Sequence, residues 1–370
     1  MKYYLIAGEA SGDLHGSNLV REIRKKDPGA ALRCWGGDKM QAEGAELVKH
    51  YRELAFMGFA EVLLNLRTIF RNLAFCKEDI SAWQPDVLVL IDYPGFNLRI
   101  AKWAKARGIR VVYYISPQVW AWKENRVPSM KKCIDRMLVI LPFEKDYFRT
   151  KWNWEVSYVG HPLVEETEAI RQKESSPPFS QKPIIALLPG SRRQEISKKL
   201  PVMLETSRHF PEYQFIVARA PGTDAAFYDC LMQAYPAVTS VNNQTYALLL
   251  QAKAALVTSG TATLETALLG VPELVCYKGS PLSYQIAKRV IKVKFISLVN
   301  LIMDRLVVKE LIQDAFTVEN VTTELRLLLE DKNRQKVLQE DYHQLRELLR
   351  SGGHASAKAA AIITEFVSAQ

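Results

Sequence analysis

The chain has 370 residues, with 49 Lys and Arg against 40 Asp and Glu, a formal net charge of +9, and 48% hydrophobic and 24% charged residues. That length exceeds what one hydrophobic core ordinarily serves and predicts two domains of a globular protein, not a disordered or fibrous one. No run of about 18 consecutive apolar residues occurs, which argues against a membrane span, and the five cysteines lack CxxC or Cys/His spacing, which argues against zinc and for a reducing cytoplasm.

Read from the amino terminus, Met1 to Gly8 carries one charge and a very short apolar run, a poor signal peptide. It reads instead as a first strand, Tyr3 to Ala7. Further strands are expected at Ala31 to Trp35, Val87 to Ile91, Val111 to Ile115, Met137 to Leu141 and Val156 to Val159, with helical periodicity at Leu14 to Lys26 and Leu98 to Arg107. The stretch RQKESSPPFSQKP, Arg171 to Pro183, pairs Pro-Pro with Ser and Lys, has no apolar period, and predicts an interdomain linker. A second series follows, with strands at Ile184 to Leu188, Phe215 to Ala218, Ala254 to Val257 and Glu273 to Tyr277, and helices at Ala262 to Leu269 and Leu282 to Lys292. Beyond Phe316 the pattern is helical, with a last helix after Gly352-Gly353. Alternating strands and helices predict an α/β protein with two parallel sheets: residues 1–170 as one domain and 183–350 as the other.

Ligands of open α/β sheets bind at the carboxyl ends of strands. Small and polar residues crowd those positions here: GEASGD (8–13), DYPGFN (92–97), SPQVWAW (116–122), PFE (142–144), GHP (160–162), PGSR (189–192) and SGTATLE (259–265). Taken singly, each is ordinary turn chemistry. Seven on the same predicted edge of the two sheets point to a functional cleft.

Two of these segments have a mechanical reading. Ser259-Gly260-Thr261, running into a helix, exposes unpaired amides at its positive end and suits a phosphate or diphosphate. Glu265, one turn inside, either accepts hydrogen bonds from vicinal hydroxyls such as those of a ribose or is a solvated carboxylate favoured by the helix dipole. Pro189-Gly190-Ser191 forms a tight turn with free amides, and Arg192 adds a cationic fork matched to phosphate oxygens. An exposed surface arginine is the plain alternative. Neither GxxxxGK[ST] nor GxGxxG occurs, which argues against an ATPase and a dinucleotide dehydrogenase.

The segments GEASGD, IDYPGFN, SPQVWAW, LPFE, VGHPL, LLPGSR and SGTATLE, in this order over nearly the whole chain, resemble the lipid-A-disaccharide synthase family, inverting glycosyltransferases of GT-B architecture with two Rossmann-like domains facing across a cleft. The resemblance implies transfer of a 2,3-diacylglucosamine unit from UDP-2,3-diacylglucosamine to the 6-hydroxyl of 2,3-diacylglucosamine 1-phosphate. The products are the β-1,6-linked lipid A disaccharide 1-phosphate and UDP. It further implies a last helix, 351–370, that packs back on the first domain, a Gram-negative source, peripheral attachment to anionic lipid on the cytoplasmic face of the inner membrane, and no metal or other cofactor. The sequence itself offers no DxD-type carboxylate cluster.

An inverting transfer needs a base on the acceptor hydroxyl and positive groups on the leaving diphosphate. The resemblance assigns the base to Asp92, at the end of an apolar strand, with Glu9, Asp13 and His161 as alternatives and a loop-capping carboxylate as the plain reading of Asp92. Arg192, with Gly190, Ser191, Ser259, Gly260 and Thr261, is expected to hold the departing UDP, and Glu265 its ribose. Ser11 and Asn300 match family positions that line the cleft, and the resemblance implies that they too contact UDP. Gly95 stands where some relatives carry an aspartate, so a second acid in that loop is not expected.

Amphiphilic substrates require an apolar surface. Glu53 to Phe75 carries Phe56, Met57, Phe59, Leu63, Leu66 and Phe70 beside Arg67 and Arg71, a pattern that suits either a bilayer surface or a core-facing helix with a wet basic side. The family resemblance favours membrane contact through Phe56, Met57, Phe59, Leu63 and Arg67. Trp120 and Trp122 suit either a core or an acyl-chain lining. Two rival functions differ in testable ways. A UDP-N-acetylglucosamine 2-epimerase shares the architecture and turns over a UDP-sugar without an acceptor. A nucleic-acid-binding protein would carry a basic recognition helix or an RNP-type strand, and neither is present. The oligomeric state stays open, a homodimer among the options.

Overall fold

The runs Val87–Ile91 and Ile184–Leu188 are buried at every position, as a central strand of a parallel sheet covered on both faces must be. The computed structural model describes residues 1–54, 66–172, 177–221, 223–280, 284 and 293–369. These divide into two compact units, one of Met1–Pro162 with Leu349–Gln370 and one of Leu163–Leu348.

The first unit runs β1 (Lys2–Ala7), α1 (Ala10–Lys26), β2 (Ala31–Gly36), α2 (Asp38–Ala42), β3 (Glu46–His50), α3 (Leu66–Trp83), β4 (Val87–Ile91), α4 (Pro94–Lys105), β5 (Arg110–Tyr114), α5 (Val127–Cys133), β6 (Arg136–Val139), α6 (Pro142–Trp152) and β7 (Ser157–Tyr158). Its seven strands are all parallel in the order β3-β2-β1-β4-β5-β6-β7. Side chains alternate between two apolar layers: Tyr4, Ile6, Leu88, Leu90 and Tyr113 enter one, and Tyr3, Leu5, Val87, Val89 and Tyr114 the other, the period of two that a strand imposes.

After α7 (Pro162–Arg171), the second unit runs β8 (Ile184–Leu188), α8 (Arg193–Thr206), β9 (Gln214–Arg219), α9 (Ala225–Met232), β10 (Thr239–Asn242), α10 (Thr245–Gln251), β11 (Ala252–Thr258), α11 (Thr261–Leu268), β12 (Glu273–Tyr277), α12 (Leu298–Met303), β13 (Lys309–Ile312), α13 (Val318–Glu330) and α14 (Lys332–Arg350). Its six strands, again parallel, follow β10-β9-β8-β11-β12-β13.

The last helix, α15 (Ala355–Ser368), lies against α1. Its small face, Ala355, Ala359 and Ala360, joins Leu19, Val20 and Ile23 in one buried layer. Arg110 donates to the carbonyls of Phe366 and Val367 at 3.0 and 2.8 Å, filling the acceptors that a helix end leaves open. Gly352 and Gly160 meet backbone to backbone: a Cβ on Gly352 would lie 2.3 Å from the Gly160 Cα.

In both sheets the strand order reverses beside the first strand of the unit, between β1 and β4 and between β8 and β11. Connections there leave in opposite directions and open a crevice at the carboxyl ends. The loops that meet are Gly8–Asp13 with Asp92–Asn97 in one unit, and Pro189–Arg192 with Ser259–Thr261 in the other. Strands β3, β10 and β13 are not apparent from the sequence pattern. The helix expected over Leu282 to Lys292 lies, Tyr284 apart, outside the described residues, as do Phe56, Met57, Phe59 and Leu63.

Candidate functional site

In the second unit the reversal point carries a cavity of about 440 Å³. Gly190, Ser191 and Arg192 line it from the β8 side, and Ser259, Gly260, Thr261 and Glu265 from the β11 side. The left-handed φ of Gly190, +119°, suits glycine, and a Cβ there would stand 2.7 Å from a Glu195 carboxylate oxygen. Helices α8 and α11 begin at Arg192 and Gly260 without a side-chain cap, so their first amides are not satisfied by a cap and the positive helix ends border the cavity. The seven residues expected to hold the diphosphate and ribose, 190–192, 259–261 and 265, thus come together.

Arg192 is exposed and pairs with Glu195, Nη1 to Oε1 3.4 Å. The other Glu195 oxygen lies 3.8 Å from Lys199 Nζ, and Lys199 is 2% exposed. Lys199 donates to the Thr258 hydroxyl at the end of β11. Burial pulls its pKa below the ordinary lysine value, and the Glu195 carboxylate opposes that shift. Sequence reading missed Lys199. The signal was its spacing, seven residues after Arg192 and four after Glu195, which places all three on one helix face.

Glu265 accepts a hydrogen bond from the Tyr246 hydroxyl at 2.8 Å, and the same hydroxyl lies 3.2 Å from Glu166. One phenolic proton serves only one carboxylate at a time. Burial, then the charge of Glu166, raises the pKa of Glu265.

Two expected nucleotide contacts are not part of this cavity. Ser11 belongs to the first unit, exposed in the first turn of α1. Asn300 is fully buried, and its amide is spent on the fold. Its Oδ1 accepts from the amides of Val307 and Val308 at 2.8 and 2.9 Å, and its Nδ2 donates to the Val308 carbonyl and Glu310 at 2.8 and 2.9 Å. Asn300 therefore ties α12 to β13.

In the first unit Asp92 and Tyr93 both adopt left-handed φ, +45° and +50°, a conformation that non-glycine residues hold only where the surroundings enforce it. The enforcement is visible. The Asp92 amide donates to the Tyr114 carbonyl at 3.0 Å, and its carbonyl accepts from the Tyr113 hydroxyl at 2.6 Å and Asn97 Nδ2 at 2.8 Å. Burial first, then the charge of Glu9, raises the Asp92 carboxyl to about 6, against a hydrogen bond from the Tyr93 amide. Such a value suits a group that takes up a proton near neutrality.

The alternatives to Asp92 are occupied otherwise. Asp13 is buried and accepts from the amides of Gly37, Met40 and Lys39 at 2.8, 3.1 and 3.2 Å, so it holds the β2–α2 turn. His161 is buried beside His15, and burial, then that neighbour, lowers it to about 3, so its imidazole stays neutral near pH 7. Glu9 is half-buried and acts on Asp92 through its charge. A further carboxyl, Glu144, is buried, raised by burial to about 7, and accepts from Trp120 Nε1 at 3.1 Å and the Leu141 amide at 3.0 Å. That bond joins SPQVWAW to LPFE and fixes Trp120, which also meets Phe143 edge to face. Trp122 is 44% exposed, with Lys123 Nζ 4.0 Å from its ring centre.

Arg67 is exposed at the start of α3, near exposed Phe70 and Arg71. Among the described residues no helix is long and apolar enough to cross a membrane, and no group of three His, Cys, Asp or Glu side chains is placed to hold a metal ion.

Residues 3–364 match the family model LpxB, lipid-A-disaccharide synthetase. The chain is 40% identical to the lipid-A-disaccharide synthase of Geobacter metallireducens, covering 98% of this chain and 96% of that one. Among solved structures, a UDP-GlcNAc 2-epimerase from Neisseria meningitidis bound to UDP-GlcNAc superposes with a TM-score of 0.69 at 13% identity, covering 99% of this chain and 100% of its own. The calicheamicin glycosyltransferase CalG4 superposes with a TM-score of 0.63 at 17% identity, covering 99% of this chain and 98% of its own. These likenesses give the fold, GT-B, and at such identities nothing finer.

Proposed function

The chain belongs to the lipid-A-disaccharide synthase family of glycosyltransferases, and from that premise we propose that it joins UDP-2,3-diacylglucosamine to 2,3-diacylglucosamine 1-phosphate with inversion at the anomeric carbon. The acceptor's 6-hydroxyl oxygen attacks the donor's anomeric carbon, the bond from that carbon to the diphosphate oxygen breaks, and the hydroxyl proton passes to Asp92. The products are the β-1,6-linked disaccharide 1-phosphate and UDP.

The observation that carries this reading is the second unit's cavity. Two uncapped helix starts and the Arg192 fork border one space, with Glu265 at its side. Amides and a guanidinium offset charge that grows on a departing diphosphate without having to reorganise. Lys199, behind Glu195, keeps that carboxylate from repelling the phosphates. Asp92 supports the other half of the reaction, because its backbone is fixed and its pKa lies near the working range.

The proposal includes peripheral attachment to the cytoplasmic face of the inner membrane, since acylated substrates reside in a bilayer. Exposed Phe70, at 61%, beside exposed Arg67 and Arg71 on α3 supports that placement. The two-substrate assay tests the function: disaccharide and UDP should appear together and only when both sugars are present. Conversion of the UDP-sugar alone would identify an epimerase instead.

A further inference from the structure

A second cavity, of about 290 Å³, opens in the first unit between α4 and α5. Arg99, Lys102, Arg126 and Ser129 line it, over an apolar floor that includes Met130 and Cys133. Among the described residues the side chains of Arg99, Lys102 and Arg126 make no ion pair or hydrogen bond. The neighbouring cations are engaged: Lys105 pairs with Asp135, Arg107 lies over Trp103, and Lys123 over Trp122. Arg126 also depresses the pKa of Lys123, after burial, so positive potential accumulates at this rim.

Three converging cations without a counter-charge, two of them planar forks, fit a small multivalent oxyanion. A phosphate monoester carries close to two negative charges near neutrality. Position narrows the choice. Pro94 and Gly95, which line the cavity, follow Asp92 and Tyr93 directly, and the chain from Asp92 to Gly95 spans at most about 11 Å even when extended. A Cβ on Gly95 would meet nothing within 4 Å, so the entrance on that side is open. In a hexose 1-phosphate the phosphate on C1 and the 6-hydroxyl carried by C5 flank the ring oxygen, so a site for one lies close to a site for the other.

We propose that Arg99, Lys102 and Arg126, with the Ser129 hydroxyl, bind the phosphate monoester of the acceptor sugar and so orient its 6-hydroxyl toward Asp92. This rests on the acceptor assigned above.

The test uses the full chain in detergent micelles, with Arg99→Ala, Arg126→Ala and the double variant. Each single change should raise the acceptor KM about 10–100-fold, the loss of one charge-assisted hydrogen bond, while the donor KM stays as in wild type. An acceptor lacking the 1-phosphate should abolish the difference between wild type and variants, and Arg126→Lys should recover part of the loss. An acceptor KM that stays unchanged in the variants, with the wild type active, overturns the site. So does loss of sedimentation with phosphatidylglycerol vesicles at unchanged acceptor KM, which would make the cavity a lipid headgroup site. Should the wild type form no disaccharide, the functional reading fails on its own. The site is then judged by titration with glucosamine 1-phosphate against glucosamine: binding that needs the phosphate and is lost in the double variant upholds it, and equal binding of both sugars overturns it.

Discussion

The phenolic hydroxyl of Tyr113 donates to the main-chain carbonyl of Asp92 at 2.6 Å, from the neighbouring strand. The bond acts on the backbone and occupies neither carboxylate oxygen. It helps hold a left-handed residue at the point where β4 ends, and so turns a strand terminus into a fixed carboxylate.

Replacing that carboxylate separates its chemistry from its structural part. Asp92→Asn keeps a side chain tolerant of left-handed φ and every backbone bond just described. Turnover should fall by about 10²–10⁴-fold, the usual worth of a general base, with an unchanged circular dichroism spectrum. A loss below about tenfold would not fit a base in this range.

The pH profile follows from the raised pKa. A base must be deprotonated to act, so kcat/KM should decline as pH falls through about 6. Stability moves the other way. The folded Asp92 carboxyl holds its proton more tightly than the ordinary value of 3.8 allows, so its ionisation costs folding free energy above about pH 6. That cost fades as pH falls toward the unfolded pKa. Asp92→Asn should therefore melt above wild type at pH 8, with the difference shrinking toward pH 4. Melting curves at the two pH values check this, and a lower melting temperature at pH 8 would contradict it.

Charge around the second unit's cavity, the proposed diphosphate site, predicts a graded series. Arg192→Ala should lower turnover about 10²–10³-fold, in line with loss of one preorganised donor to a developing anion. Lys199→Met should weaken UDP binding by leaving Glu195 without its buried partner, and Glu195→Gln in the same chain should restore part of it. Calorimetric titration with UDP distinguishes this coupling from simple additivity.

Asn300 gives the contrasting case. Asn300→Ala strands the amides of Val307 and Val308 and should cost about 1–3 kcal/mol per unsatisfied group. The KM for the UDP-sugar should not change in the protein that remains folded. A selective rise in that KM would return Asn300 to the substrate.

What the sequence made legible depends on burial. Strands β1, β4, β8 and β11 are central, apolar on both faces, and stand out as continuous runs. Strands β3, β10 and β13 each lie at a sheet edge, and their sequences, ELVKH, TSVN and KELI, mix charge and polarity as half-covered strands do. The loops carrying Asp92, Arg192 and Ser259 were legible because each directly follows a buried run, so the strand's carboxyl end, where ligands of such sheets bind, is marked by an abrupt change to small and polar residues. Lys199 was not, because a lysine in a polar helical stretch looks solvated until β11 is placed against it. The structural part of Asn300 was not legible either: an amide near a strand serves a ligand or a loop equally well, and its four side-chain hydrogen bonds appear only once β13 is placed beside α12.

The most direct measurement follows UDP release and disaccharide formation together, in wild type and Asp92→Asn, with both acylated sugars and with the UDP-sugar alone. The structure predicts equal amounts of the two products in wild type, none without acceptor, and a loss of turnover of at least about 10²-fold in the variant. Turnover of the UDP-sugar alone, or a variant as fast as wild type, would contradict glycosyl transfer with Asp92 as its base.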